Sequence, residues 1–123
     1  MKFAVSSYSL SALVNKGEKT EKELIALAKE IGFDGIEFAG ISVPDGMDKI
    51  QYAKELKAEC EKQGIELVQY SIGADLLYGC DGDLASEIDR LKGEVDVAAA
   101  LGVKGMRHDA TGGYKNGDEK VYL

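Results

Sequence analysis

The stretch Leu101-Gly102-Val103-Lys104-Gly105-Met106-Arg107-His108-Asp109 decides the fold, because the chain carries a close copy of it at 31–39 and a looser copy at 63–71. In each copy a glycine follows a segment with helical periodicity, and a short apolar segment ending in polar residues comes next, as at a helix-to-strand joint. The glycines Gly32, Gly64 and Gly102 recur at intervals of 32 and 38 residues. Such an interval fits one strand, one helix and two loops, so the sequence predicts a repeated α/β unit.

Working outward from these joints, the apolar pattern predicts four strands, at 2–8, 35–38, 65–70 and 103–107. Three helices alternate with them, at 20–31, 47–63 and 85–101, and 9–19 is predicted to be a loop with a short helical turn. Thr20 and Glu23 have the spacing of a capping box. The predicted inner stripe of the last helix contains the apolar residues that recur at helical spacing, Ile88, Leu91, Val95, Ala98 and Leu101.

Composition indicates one globular domain, since the 123 residues are 45% hydrophobic and 30% charged. The sequence contains no apolar run of membrane-spanning length and no leader pattern, so we expect no membrane contact and a cytoplasmic location. The net charge of −7 and pI near 4.7 argue against a nucleic-acid partner. Cys60 and Cys80 lie outside any metal-binding motif; two reduced thiols are expected, and a disulfide stays open.

Strands that alternate with amphipathic helices predict a parallel sheet, either doubly wound or part of a (β/α)8 barrel. The first strand-to-helix loop, 6–20, contains neither GxGxxG nor GxxxxGK[ST], which disfavours a nucleotide-binding sheet. The predicted strand ends carry polar residues, as barrels require, but a barrel needs eight units and about 250 residues. We therefore predict a half-barrel, with 1–109 as its amino-terminal half and 110–123 as a polar loop or truncated tail.

The sequence resembles the amino-terminal half of the sugar phosphate isomerase/epimerase superfamily, the xylose isomerase-like TIM barrels. The resemblance spans about residues 1–114 and rests on four phrases in register: the opening strand, Gly32-Phe33-Asp34-Gly35-Ile36-Glu37, Gly64-Ile65, and Leu101-Gly102-Val103 before Met106-Arg107-His108. It implies aldose-ketose isomerisation or epimerisation of a sugar or sugar phosphate. The implied chemistry is proton transfer through an enediolate that a divalent metal, Mn²⁺, Mg²⁺, Co²⁺ or Zn²⁺, stabilises.

The resemblance implies catalytic roles for Glu37 and His108, at the ends of the second and fourth strands. Asp109 could orient the His108 ring. Arg107 could hold a phosphate or an enediolate oxygen, or it could pair with Glu37, because the repeat alignment gives both the same strand position. The hydroxyls of Ser7 and Ser71 are further substrate-binding candidates. The plain alternative for Glu37 is a solvated or ion-paired side chain at a strand end, for His108 a polar loop cluster, and for Ser7 and Ser71 a strand-end hydroxyl without a function.

In that family the metal ligands are carboxylates and a histidine from strands five to eight, which have no counterpart here. We therefore expect no metal ligand in this chain, no tight metal binding by it alone and no turnover without a further half. Asp75, Asp81 and Asp83 do not fit a calcium-loop spacing, and helix capping by Asp81 or Asp83 is the simpler interpretation.

Two other functions stay open. The chain could be a non-catalytic half-barrel that self-associates, because four strands leave two unpaired edges and an inward face that we predict to be rich in Phe, Val, Ile and Met. A homo-oligomer or a missing carboxy-terminal half is then expected. An endonuclease IV-like fragment is disfavoured, since the chain is acidic and has a single histidine.

Overall fold

The computed structural model describes residues 1–115 and contains a four-stranded sheet flanked by helices. The strands are β1 Ala4–Ser6, β2 Gly35–Ala39, β3 Glu66–Ile72 and β4 Met106–His108. The α-helices are α1 Ser11–Asn15, α2 Glu21–Ile31, α3 Lys49–Gln63 and α4 Leu84–Leu101, and 3₁₀ turns span Ser7–Leu10 and Gly79–Gly82. The three long helices α2, α3 and α4 confirm the helices predicted from the sequence. Strand β1 is shorter than predicted, because a 3₁₀ helix begins at Ser7.

Local signals set the helix ends. Thr20 accepts a hydrogen bond from the Glu23 amide, and the Glu23 carboxylate accepts one from the Thr20 amide, which is the predicted capping box. The helices α2, α3 and α4 stop at Gly32, Gly64 and Gly102, each in the left-handed conformation that glycine adopts without strain.

The strand order in the sheet is β1-β2-β3-β4, and every neighbouring pair is parallel. A doubly wound sheet would reverse its order at a switch point, whereas a barrel adds each strand beside the previous one. The described chain is therefore an open α/β half-barrel, as predicted. Its helices pack on the strands through a core centred on Ile36, Phe38 and Leu56, which are fully buried.

The two faces of the sheet differ in chemistry, and the prediction of an apolar inward face was wrong for its carboxyl-terminal half, although Ala4 and Val68 lie on this face near the amino ends of the strands. Strand side chains that contact the helix core are apolar; they include Val5, Ile36, Phe38, Leu67 and Met106. Alternation of side chains along a strand therefore directs Ser6 and Glu37 to the opposite face, where Gln69 is their neighbour in register. The carboxyl-terminal half of this open face is polar.

The buried face of α4 also differs from the prediction. Ile88 and Val95 are 39% and 56% exposed, whereas Glu87 and Glu94 are only 2% and 8% exposed. The helix is rotated by about one residue relative to the apolar stripe, because both carboxylates have cationic and hydrogen-bonding partners that offset their burial.

The segment after β4 packs against an earlier loop as far as it is described. The Leu76 amide donates to the Ala110 carbonyl at 2.8 Å, and the Thr111 hydroxyl donates to Asp75 at 3.1 Å. The rest of the predicted tail, 116–123, lies outside the described residues. Within 1–115 no helix is both long and apolar enough to cross a bilayer. Cys60 and Cys80 are both free thiols, the first buried and the second exposed.

Candidate functional site

The carboxyl ends of the four strands meet along one edge of the sheet, where a barrel carries its chemistry. The register there is set by a bulge between Ile36 and Glu37, after which Ala39 lies beside Ser71 and Ser71 beside Arg107. Two cavities open at this edge, on either side of Ala39.

The first, which we call the Arg107 cavity, encloses about 340 Å³ between the ends of β2, β3 and β4 and the helices α3 and α4. It brings together three of the predicted site residues, Ser71, Arg107 and Asp109. Its charged side chains are three cations and two carboxylates: Lys49, Arg90, Arg107, Glu94 and Asp109. In a chain with a net charge of −7, this is a local excess of positive charge.

Arg107 is held at the mouth of this cavity by Asp109, whose Oδ1 accepts from Arg107 Nη2 at 2.6 Å. The Arg107 side chain remains 62% exposed, so most of its guanidinium donors face solvent. Beneath it, Ser71 is 7% exposed, and its hydroxyl oxygen accepts from the Gln69 side-chain amide at 3.2 Å. A guanidinium fork above a hydroxyl group is suited to binding oxyanions and sugar oxygens.

The inner wall of the cavity is a buried chain of polar contacts from three elements. The Tyr70 hydroxyl donates to Glu94 Oε2 at 2.7 Å, and Lys49 Nζ contacts Glu94 Oε1 at 2.5 Å. Burial pushes the pKa of Glu94 upward, but the Lys49 ammonium and the Tyr70 hydroxyl outweigh it and leave that pKa below its ordinary value. Burial and the same carboxylate raise the pKa of Tyr70.

The outer wall depends on Arg90, which donates through Nη2 to the Gly73 carbonyl and to the Glu87 carboxylate. Glu87 also accepts from the Asp75 amide at 3.0 Å. The Arg90 guanidinium and the Asp75 amide lower the pKa of Glu87 to about 2. These contacts fix the loop after β3 to α4, so the wall is preorganised.

The second cavity, which we call the Ser7 cavity, encloses about 180 Å³ between the turn after β1, the start of α2 and the loop after β2. The predicted site residue Ser7 lies here, apart from the Arg107 cavity. It is 8% exposed, and its oxygen accepts the Ala39 amide proton at 3.0 Å. Glu21, also 8% exposed, accepts the Ser42 amide proton through Oε1 at 2.9 Å.

The two residues predicted to be catalytic do not share a cavity. Glu37 is half-buried on the open face of the sheet, level with Ser6 and Gln69. His108 is exposed at the end of β4, and its Nδ1 donates to the Asp109 carbonyl at 2.7 Å, since a carbonyl can only accept. It alternates with Arg107 along β4, so the two side chains point to opposite faces.

Two contacts that the sequence suggested, Asp109 with the His108 ring and Arg107 with Glu37, do not form. The carboxylate of Asp109 binds Arg107 rather than the His108 ring. Arg107 does not pair with Glu37, because the sheet register places Arg107 level with Ala39, beyond Glu37 along the barrel axis. The prediction from the repeat alignment that Arg107 and Glu37 occupy the same strand position was therefore wrong.

Sequence reasoning missed four side chains of the Arg107 cavity, Lys49, Tyr70, Arg90 and Glu94. One signal was present in the sequence. Glu87, Glu94 and Leu101 are seven residues apart in turn and so share a helix face, and a carboxylate on a face that also contains Ala98 and Leu101 indicates a buried polar network.

The described residues do not fit a metal site. Between residues 1 and 115, no three His, Cys, Asp or Glu side chains are grouped so that they could hold an ion. The loop aspartates have other partners: Asp83 caps α4 by accepting from the Ala85 and Ser86 amides, and Asp75 accepts from the Leu77 and Tyr78 amides.

Comparison with known families agrees with this geometry. Residues 25–121 match the family model described as xylose isomerase-like TIM barrel. The matched stretch covers most of the chain and runs from within α2 past β4, so it includes the Arg107 cavity. No curated protein matches the chain significantly.

Proposed function

The chain belongs to the xylose isomerase-like TIM-barrel family, and we propose that it is the substrate-binding half of a sugar isomerase or epimerase. The proposed reaction moves a proton at the carbon next to a sugar carbonyl, through an enediolate. The observation that carries the proposal is Arg107, held by Asp109 above Ser71 where the carboxyl ends of β2, β3 and β4 meet.

In this proposal Arg107 binds the oxygen on which negative charge develops, or a substrate phosphate, because its free donors face the cavity mouth. Ser71 donates its hydroxyl proton to a sugar oxygen. The buried network of Lys49, Glu94 and Tyr70 keeps the cavity wall rigid and so limits the reorganisation that catalysis would otherwise need.

The proposed proton-transferring group is Glu37. It lies on the open face of the sheet, its carboxylate is half-buried, and a carboxylate in such a position can accept a proton from carbon. His108 is the second proposed acid or base. With Nδ1 bound to the Asp109 carbonyl, its Nε2 is left to accept a hydroxyl proton at the rim.

A divalent metal, when bound in such an enzyme, stabilises the enediolate. Residues 1–115 do not supply a ligand set for it. Its ligands would come from residues outside the described part or from another chain.

Proton exchange is the test. The purified chain is incubated in D₂O with Mn²⁺ or Mg²⁺ and a panel of aldoses, ketoses and their phosphates, and NMR follows deuterium uptake next to the carbonyl. If the chain or its complex with a completing half is active, Glu37→Ala and His108→Ala should each lower exchange sharply. Glu66→Gln, an exposed carboxylate at the amino end of β3, is the matched control and should keep it. Near-wild-type exchange in both site variants would remove the assignment.

A second candidate, a half-barrel that associates with another copy, is favoured by one observation. Within the described sheet, β1 and β4 each pair on one side only, so each offers a free parallel edge. Light scattering over a dilution series separates the two functions. A discrete dimer without proton exchange would support the association, and a stable monomer at low concentration would oppose it.

A further inference from the structure

The Ser7 cavity contains a buried carboxylate oxygen that nothing in the described structure satisfies. Among residues 1–115, Glu21 Oε2 is the only buried side-chain oxygen or nitrogen without a hydrogen-bond partner of acceptable geometry. Leaving such an atom unpaired costs free energy, so native structures do so rarely. Burial raises the pKa of Glu21 even though the Ser42 amide and the Tyr52 and Ser42 hydroxyls act in the opposite direction, which agrees with incomplete compensation. The Tyr52 hydroxyl lies near this carboxylate, but it makes no hydrogen bond of acceptable geometry to Oε2.

The local structure does not require this carboxylate. The cap of α2 uses Thr20 and Glu23, and the loop after β2 needs only the other oxygen of Glu21, which accepts the Ser42 amide. The second oxygen is therefore available for a ligand, which would compete for it with the nearby Tyr52 hydroxyl.

The surroundings of Glu21 define what that ligand is. Besides Glu21, the polar side chains that line the cavity carry hydroxyls and one amide, from Ser7, Tyr8, Ser11, Asn15 and Ser42, and no cationic side chain among the described residues lines it. The Ser7 hydroxyl accepts the Ala39 amide and donates to none of the described residues, so its proton is free for a ligand. One carboxylate with several hydroxyl-type partners suits a neutral hydroxyl group and repels a phosphate.

The cavity is also placed and sized for part of a ligand. Its volume of about 180 Å³ is below the ~300–1,000 Å³ of pockets that enclose a whole small molecule. Ala39 lines both cavities, so a ligand anchored on Arg107 can extend past the end of β2 into this one.

We propose that the Ser7 cavity binds a neutral hydroxyl-bearing end of the ligand, with Glu21 Oε2 accepting a hydroxyl proton and the Ser7 hydroxyl donating one. The assignment rests on the proposed function only in taking the ligand to be a sugar. It divides recognition between two sites: Arg107 holds the charged or carbonyl end, and Glu21 holds the hydroxyl end.

The test is a titration of the full ¹⁵N-labelled chain with erythritol, a neutral polyol without carbonyl or phosphate, followed by amide chemical shifts. Saturable shifts are expected at Tyr8, Ala39 and Ser42. Glu21→Gln keeps an oxygen for the Ser42 amide but replaces Oε2 with an NH₂ group. The apparent affinity for erythritol, measured from these shifts, should therefore fall at least tenfold. Glu30→Gln removes an exposed charge from the same helix and should bind like wild type.

A second variant covers the case in which Glu21→Gln does not fold. Ser11→Leu adds apolar volume at another wall of the cavity, leaves the Glu21 side chain itself unchanged, and should also abolish the shifts. Shifts confined to the Arg107 cavity, shifts unchanged in Glu21→Gln or in Ser11→Leu, or no saturation at all would overturn the proposal. Polyol binding by the chain, together with near-wild-type proton exchange in Glu37→Ala and His108→Ala of the active complex, would leave this proposal standing while removing the proposed function.

Discussion

The substitution Tyr70→Phe tests whether the buried network behind the Arg107 cavity stabilises the fold. It removes one hydroxyl and changes nothing else in shape. Tyr70 is 1% exposed and Glu94 is 8% exposed, and their 2.7 Å hydrogen bond joins β3 to α4. A hydrogen bond to a charged partner contributes about 1.5–3 kcal/mol.

The structure places the expected loss near the lower end of that range. Glu94 keeps its contact with Lys49, and the adjoining cavity can supply a water molecule to the oxygen that loses its donor. We expect Tyr70→Phe to lower the free energy of unfolding by ~1.5–2 kcal/mol, which for a chain of this size corresponds to a fall in Tm of roughly 6–8 °C.

The assay is urea unfolding followed by circular dichroism, at about pH 8 and again at about pH 11. Because the pKa of Tyr70 is raised in the folded protein, the unfolded chain releases this proton first as the pH rises above about 10. This proton release by the unfolded chain lowers the free energy of unfolding of wild type but not that of Tyr70→Phe. The difference in free energy of unfolding between the two should therefore be smaller at about pH 11 than at about pH 8.

Tyr8→Phe, at a side chain that is 76% exposed, is the control and should change stability by less than about 0.5 kcal/mol. If Tyr70→Phe left the free energy of unfolding unchanged at both pH values, the network would not stabilise the fold, and the cavity wall would not be preorganised by it.

Three further predictions concern single sites. Cys60 is 2% exposed and burial raises the pKa of its thiol to about 12, so a thiol reagent should label only Cys80 in the folded chain and both cysteines in denaturant. Gly35→Ala should cost about 1–3 kcal/mol in urea unfolding, because a Cβ there would lie 2.7 Å from a neighbouring strand side chain; a silent substitution would show that β3 shifts freely. Glu87→Gln should be less stable than wild type at neutral pH. Since the pKa of Glu87 is lowered to about 2 in the folded state, the difference in free energy of unfolding should narrow as the pH falls from about 4.5 toward 2, and a difference independent of pH would contradict the assignment. Asp89→Asn, at an exposed position of α4, is the control and should unfold near wild type at neutral pH.

The sequence predicted those features that depend on neighbouring residues. Gly32, Gly64 and Gly102 end their helices because the left-handed conformation is a local property of glycine, and the recurrence of that joint predicted the sheet. The site was harder to predict. A bulge between Ile36 and Glu37 determines which side chains are neighbours in register across the strands, and no residue type in the sequence indicates this bulge.

The hydropathy pattern also misassigned part of the buried face of α4, because hydropathy treats every carboxylate as exposed and takes no account of its partners. Glu94 is buried through Lys49, 45 residues away in the chain, and through Tyr70, 24 residues away. Such partners are brought together by the sheet order and not by spacing along the sequence. The wall of the Arg107 cavity therefore became visible only in three dimensions.

The polarity of the open face bears on the choice between enzyme and self-associating module. An obligate interface between half-barrels would be expected to bury apolar side chains, yet most of those on the described strands face the helices, and Val68 and Ala4 are the exceptions near the amino ends of the strands. The open face instead presents Ser6, Glu37 and Gln69 in one row, with Ser71 and Arg107 in the next. A partner that covered this face would have to satisfy a carboxylate and a guanidinium, which costs free energy unless the enclosed space holds water or a polar ligand. Association through the free edges of β1 and β4 would thus enclose a space that is polar at the carboxyl ends of the strands, which is the end at which barrels carry their chemistry.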